Sequence, residues 1–222
     1  VKVQRLNIEA SIESLIDILL FLASELVVHY TELKVYDPVG VVEEFAALTR
    51  KVLDYEYEGA NAQVVRENFV GDKTVFVPRV VWEVSSKRVL VLEFVDGVKV
   101  SALSASVRKR FGSLLAKRAA NCYLRQVFEH GFFHGDPHHA NMFVVSGNRV
   151  ALLDFGIVGK FSRRQKKSVV GVFVGLVRQE GEAVVDNFLL LAGQSLSGRA
   201  YDEYVRDVEE FLVTWRATSS SP

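Results

Sequence analysis

The sequence predicts an α+β fold in two lobes, and three observations carry that expectation. Strand-like and helix-like segments follow one another in a mixed order, composition shifts at Asp96-Gly97, and a pair of short apolar runs is joined by a tight turn between polar loops. Val1 to Arg5 alternates as a short strand around Lys2. From Glu9 to Tyr30, Ile12, Leu15, Ile16, Leu19, Leu20, Ala23, Leu26, Val27 and Tyr30 form a helical stripe, with Glu13, Asp17 and Glu25 off it. Asp37-Pro38 opens a second helix as N-cap and first helical residue, carrying Val41, Phe45, Leu48 and Val52. A third helix, Tyr55 to Phe69, holds Glu58 and Asn61. Val75–Val84 and Lys87–Val95 are β-rich runs separated by Ser85-Ser86, which predicts an antiparallel hairpin.

The turn at Asp96-Gly97 sets the expected boundary, with an N-terminal lobe over residues 1–97 and a mostly helical C-terminal lobe over 98–222. Val107 to His130 reads as a long helix with Phe111, Leu114, Leu115, Cys122 and Val127 on one side, stopped by Gly131. Ser162–Arg178 and Gly181–Ala192 read as helices, and Ala217–Pro222 as a polar tail without structural signal. Starting mid-strand without methionine, the chain reads as a fragment.

Composition excludes several classes. With 222 residues, 49% of them hydrophobic, the chain can bury a sizeable core. A formal net charge of zero gives no basis for bulk nucleic-acid binding. One cysteine, Cys122, rules out an intramolecular disulfide framework and points to a reducing compartment. No signal peptide and no apolar run of membrane-spanning length is visible.

The chemistry concentrates between Gly131 and Gly159. Met142–Val145 and Val150–Leu153 are strand-like, joined by Ser146-Gly147-Asn148. The preceding loop presents Asp136 and Asn141, the following loop Asp154 within Asp154-Phe155-Gly156, and a short hairpin brings its ends together. Three oxygen ligands converging at a strand end suit a hard cation such as Mg²⁺ beside phosphate oxygens. The order H-x-D-x-x-x-x-N followed by D-F-G is the catalytic-loop and metal-loop pair of the protein-kinase-like fold, here with Gly135 as the middle residue of HGD. Each half alone is weak, since loop aspartates are usually turn formers and D-F-G occurs by chance. An alternative makes His134, Asp136, His138 and His139 a transition-metal cluster, although only His29 and His130 remain to add a further histidine.

Further segments occur in order around this pair: Val1-Lys2-Val3-Gln4-Arg5, Leu53-Asp54-Tyr55 through Glu58-Gly59-Ala60-Asn61, Val77-Pro78 with Trp82, and Val89-Leu90-Val91-Leu92-Glu93. Together with the HGDPH and LLDFG segments they resemble the UbiB (AarF) family of atypical kinases, from Val1 to about Phe161. The resemblance implies a two-lobed protein-kinase-like fold entered at the third strand of the N-terminal lobe, whose first strands and nucleotide loop are absent. On this resemblance Lys2 matches the lysine that touches the ATP phosphates, and Glu58 matches its glutamate partner. Asp136 takes the catalytic position, and Asn141 and Asp154 take the metal-ligand positions. Glu93, Phe94 and Val95 fall on the hinge that holds adenine, with Leu92 as gatekeeper. The implied cofactors are ATP and Mg²⁺. The implied function is an ATPase or lipid-directed kinase supporting isoprenoid quinone (ubiquinone-type) biosynthesis, with a lipid or quinone-precursor ligand, on the cytoplasmic side of a membrane or in an organelle.

There are departures from the family pattern. Pro137-His138-His139-Ala140-Asn141 replaces P-H-P-G-N, no A-P-E follows D-F-G, and the alanine-rich nucleotide loop and the K-x-G-Q helix are missing. Weak nucleotide binding by this piece alone is therefore expected. Two rival functions remain open: a small-molecule phosphotransferase of the aminoglycoside or choline kinase type, and a non-catalytic, lipid-binding pseudokinase. Arg163, Arg164, Lys166 and Lys167 ahead of the apolar run Val169–Val177 read either as a peripheral membrane contact or as the solvated start of a packed helix.

Overall fold

The computed structural model describes residues 1–219, with side chains to residue 216. These fall into two compact units, one of Val1–Tyr123 with His134–Val158, the other of Leu124–Phe133 with the chain from Gly159 onward.

In the first unit, β1 (Lys2–Val3) leads into helix α1 (Ile8–His29), and α2 (Pro38–Val52) packs back against α1. Asp37 caps α2 as expected, its carboxylate accepting the Gly40 N–H at 3.2 Å ahead of Pro38. The expected stripe of α1 is only partly buried. Ile16 and Ala23 are enclosed, while Leu15, Leu26 and Tyr30 stay exposed, because α2 covers only a narrow part of the helix surface. Arg50 forks onto Glu13 at 2.7 and 2.8 Å between these helices, an exposed pair that contributes little net stability.

Asp54 then caps α3 (Tyr55–Asn68), accepting the N–H groups of Glu56 and Tyr57. Glu58, Asn61, Ala62 and Val65, at helical spacing, form its buried face. Gly59 lies under Trp82: a Cβ there would come within 2.8 Å of the indole ring.

The long hairpin expected over Val75–Val84 and Lys87–Val95 does not form as two continuous strands. β2 (Val75–Phe76) pairs in parallel with β7 (Arg149–Leu152), and β3 (Val89–Leu90) pairs with β1. Trp82–Val84 is a 3-10 turn, and only isolated bridges, Val80 to Leu92 and Ser86 to Val89, join the two runs directly. β-rich composition marked half-buried chain correctly; which segment each run pairs with is a tertiary matter.

The sheet that carries the central stretch runs β2-β7-β6-β4, with β4 at Gly97–Lys99 and β6 at Met142–Val145. β6 and β7 form the expected antiparallel hairpin, Met142 opposite Leu152 and Val145 opposite Arg149. At its tip Gly147 and Asn148 take positive φ, and Arg118 from α4 (Ala105–Arg125) donates to the carbonyls of both.

In the second unit the helical path after α4 continues as one π-helical turn, Gln126–His130, and ends at Gly131, whose φ of 65° suits glycine. β5 (Phe132–His134) and β8 (Val158–Lys160) lie where the chain passes between units. Ser162 caps α5 (Arg163–Arg178) in a capping box with Gln165. α5 packs on α6 (Gly181–Ala192), and α6 on α7 (Arg199–Ser219). α7 was not foreseen: Ala217–Ser219, expected in a polar tail, end this helix, and residues 220–222 lie outside the described residues. Tyr201, Tyr204, Val205, Val208, Leu212 and Trp215 recur at helical spacing along it, so the signal for this helix is present in the sequence.

Gly171 and Gly175 of α5 are the points of closest approach to α6. A Cβ on Gly175 would stand 2.9 Å from a Val184 methyl and 3.1 Å from the Val184 nitrogen. Gly175→Leu is therefore expected to lower unfolding free energy by about 2 kcal/mol through overpacking, read from the denaturant midpoint.

Candidate active site

Lys2 comes to its place through the β1–β3 ladder, in which Lys2 lies opposite Leu90. Flanking bonds secure this placement: Gln4 N–H to the Arg88 carbonyl at 3.0 Å, the Gln4 side chain to the Leu53 carbonyl, and Tyr55 N–H to the Lys87 carbonyl at 3.1 Å. The start of α3 is thereby tied to the β1–β3 pair. One turn into α3, Glu58 meets Lys2, with Nζ 2.5 Å from Oε1. Lys2 also lies 3.4 Å from Asp154 Oδ2.

Glu58 is enclosed, its side chain 4% exposed, whereas Lys2 and Asp154 keep 32% and 41% of theirs. Burial disfavours the Lys2 ammonium, but Glu58 and Asp154 outweigh it and hold the pKa above the ordinary lysine value. Burial pushes the Glu58 carboxyl upward against the pull of Lys2, and the Asp154 charge adds to the push. Lys2 thus remains a cation between two carboxylates, one dry and one wet.

The backbone of the Asp154-Phe155-Gly156 loop is gripped by α3. Asn61 Nδ2 donates to the Phe155 carbonyl at 3.0 Å, and the Phe155 N–H points to Glu58 Oε1 at 3.4 Å. Phe155 is buried, its ring 5.5 Å from that of His134. Asn61 was visible in the Glu58-x-x-Asn61 spacing but was not among the expected site residues. An i,i+3 pair shares a helix face, so whatever Glu58 faces Asn61 faces too.

Asp136 and Asn141 sit on the loop before β6. The Asp136 N–H donates to His134 Nδ1 at 3.0 Å, and the Asp136 carbonyl accepts from His138 N–H at 2.8 Å. Gly135 donates to the Ile157 carbonyl at 2.8 Å, and a Cβ there would lie 2.7 Å from an Ile157 methyl, which accounts for glycine in HGD. The Leu153 N–H donates to the Asn141 carbonyl at 3.2 Å, extending the β6–β7 ladder so that Asn141 and Asp154 occupy the same end of the hairpin. One amide and one carboxylate oxygen at that end form a donor set that fits a hard divalent cation completed by phosphate and water. The alternative histidine cluster does not form. His134 and His138 each direct Nδ1 to a local backbone N–H, and among the described residues no three His, Cys, Asp or Glu side chains are placed to hold a metal.

The hinge segment lies between the Val80–Leu92 bridge and β4. Glu93 N–H donates to the Arg79 carbonyl at 2.7 Å, and its carboxylate accepts the Arg79 N–H at 3.0 Å. Phe94 is 86% exposed and Val95 is half-buried. The Glu93 N–H is therefore engaged within the chain.

A model of the ABC1 atypical kinase-like domain matches residues 1–188. The chain belongs to this ABC1 (UbiB) family. A relative in Arabidopsis thaliana, the chloroplastic protein Activity of BC1 complex kinase 7, is 34% identical over 163 residues, covering 73% of this chain and 24% of the relative. A probable protein kinase UbiB of Aliivibrio fischeri is 33% identical over 184 residues, covering 81% of this chain and 34% of that protein. The chain thus spans about a quarter to a third of the length of these curated ABC1 relatives. Among solved structures, the Rv3197–erythromycin complex from Mycobacterium tuberculosis matches with a TM-score of 0.50 and 26% identity, over 77% of this chain and 44% of that one. The kinase-like fold of the ABC1 domain agrees with the mixed helix-and-sheet architecture expected from sequence.

The site makes two predictions. Asn61→Leu leaves the buried Phe155 carbonyl unpaired and is expected to cost about 2 kcal/mol of stability, measured by chemical denaturation. His134 is held below its ordinary pKa of 6.5, chiefly by burial, with Asp154 and Asp136 opposing. The unfolded chain therefore takes up this proton first, so stability is intact above pH 6.5 and falls below it. His134→Phe should flatten the loss of melting temperature between neutral and mildly acidic pH.

Proposed function

We propose that the chain carries the catalytic core of a Mg-ATP-dependent phosphotransferase or ATPase, linked to isoprenoid quinone metabolism at a membrane. The observation that carries this reading is the Lys2–Glu58–Asp154 constellation, with Asn61 and Glu58 both holding the Phe155 peptide. Bound Mg-ATP would supply the transferable phosphoryl group and the cation that screens its charge. Phosphoryl transfer asks the protein mainly for positioned charge. Lys2 neutralises phosphate oxygens while Glu58 fixes its direction. Asn141 and Asp154 hold the cation through oxygen. Asp136 orients the attacking hydroxyl or water and accepts its proton. Glu93, Phe94 and Val95 border the base, through the Glu93 carbonyl and the Val95 backbone.

The acceptor in this reading is a small molecule or water. Only Gly156 to Phe161 separate the metal loop from the Ser162 cap of α5, too short a stretch for a peptide-docking activation segment. The quinone link rests on family membership and on the relatives named UbiB. Among the described residues no helix is long and apolar enough to cross a membrane. A peripheral contact is supported by α5, where Arg163, Arg164, Lys166 and Lys167 crowd a helix N-terminus whose dipole disfavours cations. Val170, Phe173 and Val177 are exposed along the same helix, whereas Val169 and Gly175 are buried.

Because the chain spans only part of its relatives, turnover is to be measured on the full-length protein. ATP hydrolysis is expected to fall on the order of a hundredfold in Asp154→Asn and in Lys2→Met, with the fold retained by circular dichroism. Wild-type protein that binds Mg-ATP without turnover would leave a non-catalytic scaffold, and transfer to an added small alcohol would assign the phosphotransferase. Reversing the four α5 charges is expected to release the protein from anionic vesicles and leave hydrolysis in solution unchanged.

A further inference from the structure

Behind the β6–β7 hairpin, on the α4 side, lies a cavity of about 300 Å³. Met142, Val144 and Val150 line it from the sheet, and Leu103 and Leu115 line it as well. The space arises from α4 itself. Gly112, Ala116 and Ala119 fall on one helix face at spacings of four and three, just where a packed core would place larger side chains. A Cβ built on Gly112 meets nothing within 4 Å. The volume is about twice that of an apolar cavity of ~150 Å³ that takes up benzene, so on the order of ten carbon atoms fit.

One polar side chain lines the cavity. Arg108 precedes Gly112 by one helical turn and so sits on the same face, at the exposed end. No carboxylate pairs with it among the described residues, and α4 contains no Asp or Glu, while Lys109, Arg110 and Lys117 add positive charge nearby. An apolar slot with an unpaired guanidinium at its mouth is complementary to a molecule with an apolar body and one anionic group.

We propose that the cavity between α4 and the β6–β7 hairpin binds an amphiphile with an aliphatic or aromatic body of about ten carbons and a carboxylate or phosphate head held by Arg108. The site is separate from the nucleotide reading and does not depend on it. It adjoins that site mechanically, because Met142 follows Asn141 directly and Val150 lies on the strand that leads to Asp154.

The test is calorimetric titration of the full-length protein with octanoate, octyl phosphate and 1-octanol, each below its aggregation threshold. At least one anion is expected to bind saturably, about tenfold or more tighter than octanol; the tighter of the two identifies the head. Arg108→Gln should bring that anion to the octanol level. Gly112→Leu fills the slot and should abolish binding while raising the melting temperature, since leucine favours the helix over glycine. Ala116→Leu provides the same test from the next turn should the first variant not fold. The proposal is overturned if neither anion binds, if octanol binds equally well, or if a folded slot-filling variant binds the anion unchanged.

Discussion

A buried carboxylate needs a counter-charge, and the placement of Glu58 imposes that need on three distant parts of the chain. Glu58 lies on α3, Lys2 on β1, and Asp154 in the loop after β7, yet the ammonium of Lys2 reaches both acids. Removing one partner from such a pair leaves an uncompensated charge in a dry place, a penalty of several kcal/mol. Stability alone does not explain the arrangement, because a packed hydrophobic substitute commonly serves as well. What the ion pair supplies is a lysine of fixed direction, and Asp154 stays wet enough to meet a ligand.

The hydrogen bonds around Phe155 extend the same constraint into the Asp154-Phe155-Gly156 loop. Asn61 and Glu58 engage the carbonyl and the N–H of one residue, Phe155, and so two successive peptide units, so the orientation of α3 sets the path of the chain next to Asp154. His134 packs on the Phe155 ring and receives the Asp136 N–H, linking the Asp136 loop and the Asp154-Phe155-Gly156 loop through one imidazole. Gly135 completes the contact, its missing side chain allowing the Ile157 backbone to approach. A larger side chain there would have no room.

Local signals made much of this legible. Asp37-Pro38, Asp54, Ser162 and Gly131 begin or end helices where capping chemistry says they should, and the β6–β7 hairpin forms around the Gly147-Asn148 turn. The two β-rich runs failed as a hairpin because pairing is chosen by the whole sheet. α7 carries helical apolar spacing from Tyr201 to Trp215, so its existence is legible in the sequence, whereas its docking on α6 is a tertiary matter. The largely exposed Phe94 and the half-bare stripe of α1 show the converse, apolar residues whose partners the pattern could not specify.

By itself the sequence determined residue identity, order and local geometry: Asn141 and Asp154 at either side of a short hairpin, a lysine on a strand, a glutamate one turn into a capped helix. Tertiary structure alone decided which of these meet. The approach of Lys2 to Glu58, across 56 residues, and of Asn61 to Phe155, across 94, depends on strand pairing and helix docking that no short-range pattern encodes. The cavity beside α4 is of the same kind. Gly112, Ala116 and Ala119 are unremarkable in a helix, and they make a space only because the sheet stands opposite them.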